Sequence, residues 1–225
     1  MHNHLALFDL DHTLLPIDSD YEWGSFLTRI GAVDPVEYER RNAEFYEQYK
    51  AGTLDPKDFL EFVLGTLSGF SRQQLDRWHE QFMAEVIRPV MLPPAFQLLE
   101  KHQEKGDLIA IVTATNRFIT EPIARAFGVK HLIAALPEEK PDGSFTGKLV
   151  GIPTSGKGKI THTENWLASQ GKSLGSYEKS YFYSDSYNDL PLLSKVTHPV
   201  ATNPDTRLES HAKANNWTLL RLFDD

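Results

Sequence analysis

The chain opens on a short apolar run, Leu5-Ala6-Leu7-Phe8, that stops on Asp9-Leu10-Asp11-His12-Thr13. Such a run reads as a strand buried on both faces, with the aspartates at its carboxyl end. That end of an open α/β sheet is where ligands bind. Alternation along an extended backbone sends Asp9, Asp11 and Thr13 to one side and Leu10 and His12 to the other. The period then changes from strand to helix. Ser19 with Glu22 forms a capping box for a helix through Trp23, Phe26, Leu27 and Ile30, which Gly31 closes. Asp34-Pro35 and Asp55-Pro56 each supply an N-cap and a first-turn proline. The helix after Asp34 runs through Tyr38, Phe45 and Tyr49 to Gly52, and the one after Asp55 carries Phe59, Leu60, Val63 and Leu67. Ser71 with Gln74 caps a fourth helix through Leu75, Trp78, Phe82 and Val86. Four helices without an intervening strand predict a helical unit inserted behind the first strand.

From Pro89 the texture changes. Pro93-Pro94 starts a helix that ends at Gly106, and Leu108 to Val112 is a second doubly buried strand ending on Thr113. After a helix to Gly128, Leu132 to Ala135 reads as a third strand, and Asp142-Gly143 as a hairpin turn. A loop from Pro153 to Lys159 leads into a helix through Ile160, Trp166 and Leu167. Tyr181 to Tyr183 is a strand that runs into Ser184-Asp185, and strands at Val196 to Ala201 and Trp217 to Leu222 flank a helix from Pro204 to Ala214. The alternation predicts an α/β fold, a Rossmann-like doubly wound and mostly parallel sheet.

Composition narrows the classes. The 225 residues carry a formal charge of -8 with no basic block, which argues against a nucleic-acid surface. The absence of cysteine removes thiolate catalysis, disulfides and sulfur-bound zinc. No run reaches the length of a membrane span, and Met1-His2-Asn3-His4 lacks the basic start and long apolar core of a secretion signal, so a cytoplasmic protein is expected. Nine histidines show no paired ligand spacing, and Phe45, Tyr46 and Tyr49 read first as helix-packing positions.

Parallel topology gathers Asp9, Asp11, Thr13, Thr113, Lys159 and the run Ser184 to Asp189 at one sheet edge. Carboxylates brought together repel one another, and a divalent cation with a preference for oxygen, Mg²⁺ foremost, removes that cost. A carboxylate also attacks phosphorus when the phosphate charge is neutralised. A nucleotide-binding loop is a poor alternative. Gly151 to Lys157 has the spacing G-x-x-x-x-G-K, but Gly158 stands where the metal-binding hydroxyl belongs. A phosphoacceptor module resembling response regulators is the non-enzymatic alternative, and Asp11, a second carboxylate two residues from Asp9 of the kind that turnover needs and a long-lived phosphoryl-aspartate does not, favours an enzyme over it.

These motifs resemble the haloacid dehalogenase (HAD) superfamily, in its phosphoserine-phosphatase-like branch with a helical cap. Asp9 to Thr13 is similar to that family's first motif, Thr113 to its second, Lys159 to its third, and Asp185 with Asp189 to its fourth. The resemblance implies a core of residues 1–15 and 89–225 and a cap of residues 16–88. It further implies that Asp9 is the nucleophile and Asp11 the acid and then the base, while Thr113 and Lys159 hold phosphate oxygens. Mg²⁺ would sit on Asp9, the Asp11 carbonyl and Asp185, supported by Asp189. Ser184 and Asn188 are further candidates for site contacts, and Lys157 is the alternative to Lys159. In that branch an acid nine positions after the nucleophile, here Asp18, meets the substrate ammonium. The arginine expected in the cap is replaced around Phe59 to Val63. The substrate the resemblance implies is a small phosphorylated metabolite, a cationic amino-alcohol phosphate such as histidinol phosphate, with phosphoserine or a broad range as the alternative.

Overall fold

The computed structural model describes residues 3–51, 53 and 55–223; the side chains of residues 46 and 49–51 are outside that description. The expected helix end at Gly52 and the side chains of Tyr46 and Tyr49 therefore fall outside the described residues. One sheet holds β1 (His4–Phe8), β2 (Leu108–Asn116), β3 (His131–Glu139), β4 (Phe145–Val150), β5 (Lys179–Ser184), β6 (His198–Thr202) and β7 (Thr218–Leu220), in the order β4-β3-β2-β1-β5-β6-β7. Every pairing is parallel except that of β3 with β4. The chain winds outward from β1 through β2 and β3, then returns to build β5, β6 and β7 on the other side. The point of reversal lies at β1, so the crevice beyond the carboxyl ends of β1 and β5 is the switch point. The doubly wound α/β fold expected from the sequence is the fold observed.

Between β1 and the next strand lie α1 (Ser19–Arg29), α2 (Pro35–Ala51), α3 (Pro56–Ser68), α4 (Arg72–Phe82) and α5 (Pro93–Glu104). A π turn at Met83–Ile87 and a 3₁₀ turn at Arg88–Val90 carry α4 towards α5. The remaining helices, α6 (Arg117–Ala126), α7 (Lys157–Ala168), α8 (Leu190–Leu193) and α9 (Thr206–Ala214), cover the sheet faces. The caps at Asp34, Asp55 and Ser71 form as the sequence predicts, each side chain accepting a first-turn N–H. Helices α1 and α4 are not a separate layer. Trp23, Phe26, Leu75 and Phe82 share one apolar cluster with Phe8 of β1, Ile111 of β2 and Phe118 of α6. Trp23 stacks on His79 and meets Phe82 and Phe118 edge-on.

Three local expectations are corrected. β1 ends at Phe8, and Thr13, Leu14 and Leu15 all turn their N–H groups onto the Leu10 carbonyl, with His12 in the left-handed region at φ 56°. A turn, and not strand alternation, gathers the first motif. The α1 cap is Asp18, not Ser19: Asp18 Oδ1 accepts from the N–H groups of Asp20 and Tyr21, both at 2.9 Å. The N–H of Ser19 is taken by Asp11. Finally, β3 runs four residues past Ala135, because its antiparallel partner β4 returns through the Asp142-Gly143 turn, where Gly143 has φ 81°.

The start of α7 is a tight place. A Cβ on Gly158 would lie 2.0 Å from the carbonyl oxygen of Pro153, a rigid backbone neighbour. Gly158→Ala is therefore expected to cost about 1–3 kcal/mol in chemical denaturation, as overpacking does. It should also lower activity, since Lys159 is the next residue. A variant as stable as the parent would show that the loop yields freely.

Candidate active site

The carboxyl ends of β1 and β5 place Asp9 and Asp185 side by side, and the N–H of Asp9 is held by the Tyr183 carbonyl at 2.9 Å. From the first turn of α7, Lys159 reaches into the crevice with 2% of its surface exposed. Its ammonium donates to Asp9 Oδ1 at 2.8 Å and to Asp189 Oδ2 at 2.6 Å. Burial alone would lower the lysine's pKa, but the charges of Asp189 and Asp9 outweigh it and raise it, so the ammonium stays charged. Ser184 Oγ donates to the same Asp189 oxygen at 2.7 Å. Lys157, the other lysine of the loop, is exposed.

The turn after β1 is pinned from two sides. Thr13 Oγ1 accepts the Asp185 N–H at 3.1 Å and lies 3.4 Å from Asp185 Oδ1. Asn203, at the end of β6, donates its amide to the His12 carbonyl at 3.0 Å and accepts the Leu222 N–H at 2.7 Å. Asp11 faces the start of α1. Its Oδ1 accepts the Ser19 N–H at 2.7 Å, and its Oδ2 accepts the Thr115 hydroxyl at 2.8 Å. Burial, helped by the charges of Asp18 and Asp9, pushes the Asp11 carboxyl up to about 7. A carboxyl at that value both gives and takes a proton near neutrality. Thr113 is buried, and its Oγ1 accepts the Thr115 N–H at 3.1 Å where the β2–β3 register shifts.

The structure thus brings together Asp9, Asp11, Lys159, Asp185 and Asp189, with Thr113 inside the adjoining strand β2, three residues before its end. Asn188 is exposed in the 187–189 turn, and its N–H donates to Ser186 Oγ. Asp18 stands at the N-terminus of α1, close enough for its charge to raise Asp11. Sequence reasoning missed Thr115 and Asn203. The Thr-Ala-Thr spacing in the last residues of β2, which runs three residues past the Thr113 expected to close it, is a signal for Thr115; for Asn203, two strands away from the motif it supports, no local signal exists.

Three carboxylates and one ammonium leave an excess of negative charge. It falls on Asp185: burial, then the charges of Asp9 and Asp189, push its carboxyl up to about 9, with Lys159 offsetting part of the effect. Among the described residues, no three acidic or histidine side chains gather as a ready-made metal set. Asp9 and Asp185, with the Asp11 carbonyl, would offer an oxygen-only donor set short of positive charge, chemistry that suits a hard divalent cation.

The fold and this centre define a doubly wound α/β enzyme with a buried aspartate–lysine–aspartate bridge at its switch point. The chain belongs to the haloacid dehalogenase-like hydrolase family, whose model matches residues 6–194. It is a phosphatase of that family. A histidinol-phosphatase of Neisseria meningitidis is 45% identical over 216 residues, covering 96% of this chain and 97% of that protein. A phosphoserine phosphatase of Mycobacterium tuberculosis is 30% identical over 95% of this chain and 69% of its own length. Among solved structures, a protein of unknown function from Bordetella pertussis superimposes with a TM-score of 0.94 at 50% identity, over 99% of this chain and 100% of that one. A substrate-bound phosphoserine phosphatase shares the fold, with a TM-score of 0.68 at 16% identity over 98% of this chain and 93% of that one.

The Asp185 carboxyl carries a testable sign. Its folded pKa lies above the unfolded 3.8, so the folded metal-free protein holds a proton that the unfolded chain has released. Stability then falls as pH rises from about 4 towards about 9. Asp185→Asn removes the repulsion, and metal-free protein at pH 8 should gain roughly 1–3 kcal/mol in thermal or urea unfolding while losing activity. A metal-free variant less stable than the parent at pH 8 would contradict the electrostatic reading.

Proposed function

We propose that the chain hydrolyses a small cationic phosphomonoester through a covalent aspartyl-phosphate on Asp9, with histidinol phosphate as its best substrate. The observation that carries the reaction is the buried Lys159 ammonium between Asp9 and Asp189, in the crevice where Asp11 is held by the Ser19 N–H and the Thr115 hydroxyl. Asp9 attacks phosphorus while Asp11 gives its proton to the leaving oxygen, so the alcohol departs neutral. Asp11, now the base, takes a proton from the water that attacks the acyl phosphate, and the enzyme is restored. Lys159 and the Thr113 hydroxyl bind the phosphate oxygens, and Asp189 keeps the lysine aimed. Asp9, the Asp11 carbonyl and Asp185 would hold Mg²⁺, which supplies charge neutralisation at the phosphate. Residues 16–88 act as a cap whose closure excludes water, joined to the core near Pro16 and Pro89.

The substrate rests on two supports: the histidinol-phosphatase relative at 45% identity, and the charge around α1. Asp18 supplies an anion for an ammonium group. Its Oδ1 caps α1, so Oδ2 is the atom left to face a ligand. The cap segment Phe59 to Val63 holds no arginine for a substrate carboxylate. Arg41, on the neighbouring helix, lies over the rings of Phe45 and Phe62 and is paired to Glu44 at 3.0 Å.

The test is kcat/KM with Mg²⁺ for histidinol phosphate, phosphoserine and p-nitrophenyl phosphate. Asp9→Asn should lower turnover of all three by about 10⁴-fold or more. For Asp18 the informative variant is Asn, because Ala would also remove a helix cap worth about 1 kcal/mol. Asp18→Asn should lose about tenfold or more for histidinol phosphate and little for p-nitrophenyl phosphate. A wild-type preference for phosphoserine, or an active Asp9→Asn, would refute the corresponding half of the reading.

A further inference from the structure

A second acid of α1 has no place in the reaction above. Asp20 is only 7% exposed, and its Oδ1 has no hydrogen-bond partner among the described residues. A buried carboxyl normally has both oxygens satisfied, since leaving one unmade costs about 1–3 kcal/mol or more. Among the described residues no cationic partner is hydrogen-bonded to this oxygen, and the neighbouring elements bound its position. Its predecessor, Ser19, donates its N–H to Asp11 at 2.7 Å, so the first turn of α1 is fastened to the proposed acid/base. One helical turn further on the same face is Gly24, where a Cβ would overlap the hydroxyl of Tyr38 on α2, so that hydroxyl lies directly on the helix backbone. Asp20 thus sits in the angle between α1 and α2, between Tyr38 and Asp11. Tyr38 in turn stacks on Phe62 at 5.4 Å, the start of an aromatic wall through Phe45 and Phe59.

We propose that Asp20 is a specificity-determining residue: its unpartnered oxygen binds the nitrogen heterocycle of the substrate, with the Tyr38 ring beside it, while Asp18 takes the ammonium. This rests on the substrate reading above and deepens it. An amino-alcohol phosphate and an amino-acid phosphate carry the same phosphate and the same ammonium, so a site that separates them must read the remaining substituent. An imidazole presents a ring N–H to the Asp20 oxygen. A carboxylate placed there meets the Asp18 charge and brings Asp20 no cation, so the pair favours the ring over it. Burial, with the charges of Asp18 and Asp11, holds the Asp20 carboxyl well above the usual range. A cationic imidazole ring beside it offsets the cost of ionising that buried acid, which a carboxylate does not.

The experiment compares wild type, Asp20→Asn and Asp20→Leu on histidinol phosphate, phosphoserine and p-nitrophenyl phosphate, with kcat and KM resolved. The ratio of kcat/KM for histidinol phosphate over p-nitrophenyl phosphate should fall about tenfold in the Asn variant and further in the Leu variant, chiefly through KM. Phosphoserine should gain on histidinol phosphate in both. A loss shared equally by all three substrates would make Asp20 a structural residue and overturn the proposal. Should wild type prefer phosphoserine, the substrate reading fails. The Asp20 proposal is then decided by phosphoserine relative to p-nitrophenyl phosphate: a rise in the variants retains Asp20 as the group that excludes carboxylates, and no change removes it. If Asp20→Leu does not fold, the near-isosteric Asn variant carries the same comparison.

Discussion

The interaction on which the rest of the structure depends is a buried ammonium shared by two carboxylates. Lys159, with 2% of its surface exposed, bridges Asp9 and Asp189 across chain separations of 150 and 30 residues. Taking these charges out of water is expensive, and removing one partner of such a group leaves an uncompensated charge at a cost of about 3–5 kcal/mol. The arrangement is a commitment to chemistry more than to stability. One positive charge for three neighbouring carboxylates leaves the centre negative, and the strain is borne by Asp185. In the proposed reaction that deficit is met from outside, by a cation and by a phosphate whose charge that cation offsets.

The fold supplies the remaining constraint, which is where the chain reverses direction around β1. Since β1 and β5 are neighbours in register, Phe8 beside Tyr183, their ends deliver Asp9 and Asp185 to one crevice without any loop having to reach. Helix α1 then begins immediately over it, tied by the Ser19 N–H to Asp11, the proposed acid and base. The helices after β1 therefore do two things at once. Their apolar residues join the main core through Trp23, Phe26 and Phe82, and the first turn of α1 carries Asp18 and Asp20 to the rim of the site.

Much of this was legible in the sequence because the signals are local. Doubly buried strands announce themselves as apolar runs, and Asp-Pro and Ser-x-x-Gln pairs mark helix starts with a stated hydrogen-bonding reason. Strand alternation gave the right convergence of Asp9, Asp11 and Thr13 for the wrong reason, since a turn on the Leu10 carbonyl performs it. The choice between Asp18 and Ser19 as cap was not legible. Both are good N-cap residues, and the competition was settled by Asp11 taking the Ser19 N–H. The length of β3 depended on a partner strand that begins six residues after it ends, and the supporting role of Asn203 on contacts nearly the whole chain apart. Those are tertiary facts. No window of sequence contains them.

The central claim is that Asp9, held by Lys159, becomes covalently phosphorylated during turnover. The most direct test is to mix the Mg²⁺-loaded enzyme with radiolabelled phosphomonoester, quench in acid within a turnover, and map the label by peptide. The account predicts an alkali-labile acyl phosphate on the peptide containing Asp9, absent in Asp9→Asn. Label on another residue, or full turnover with no label trapped on the protein at any time point, would contradict it.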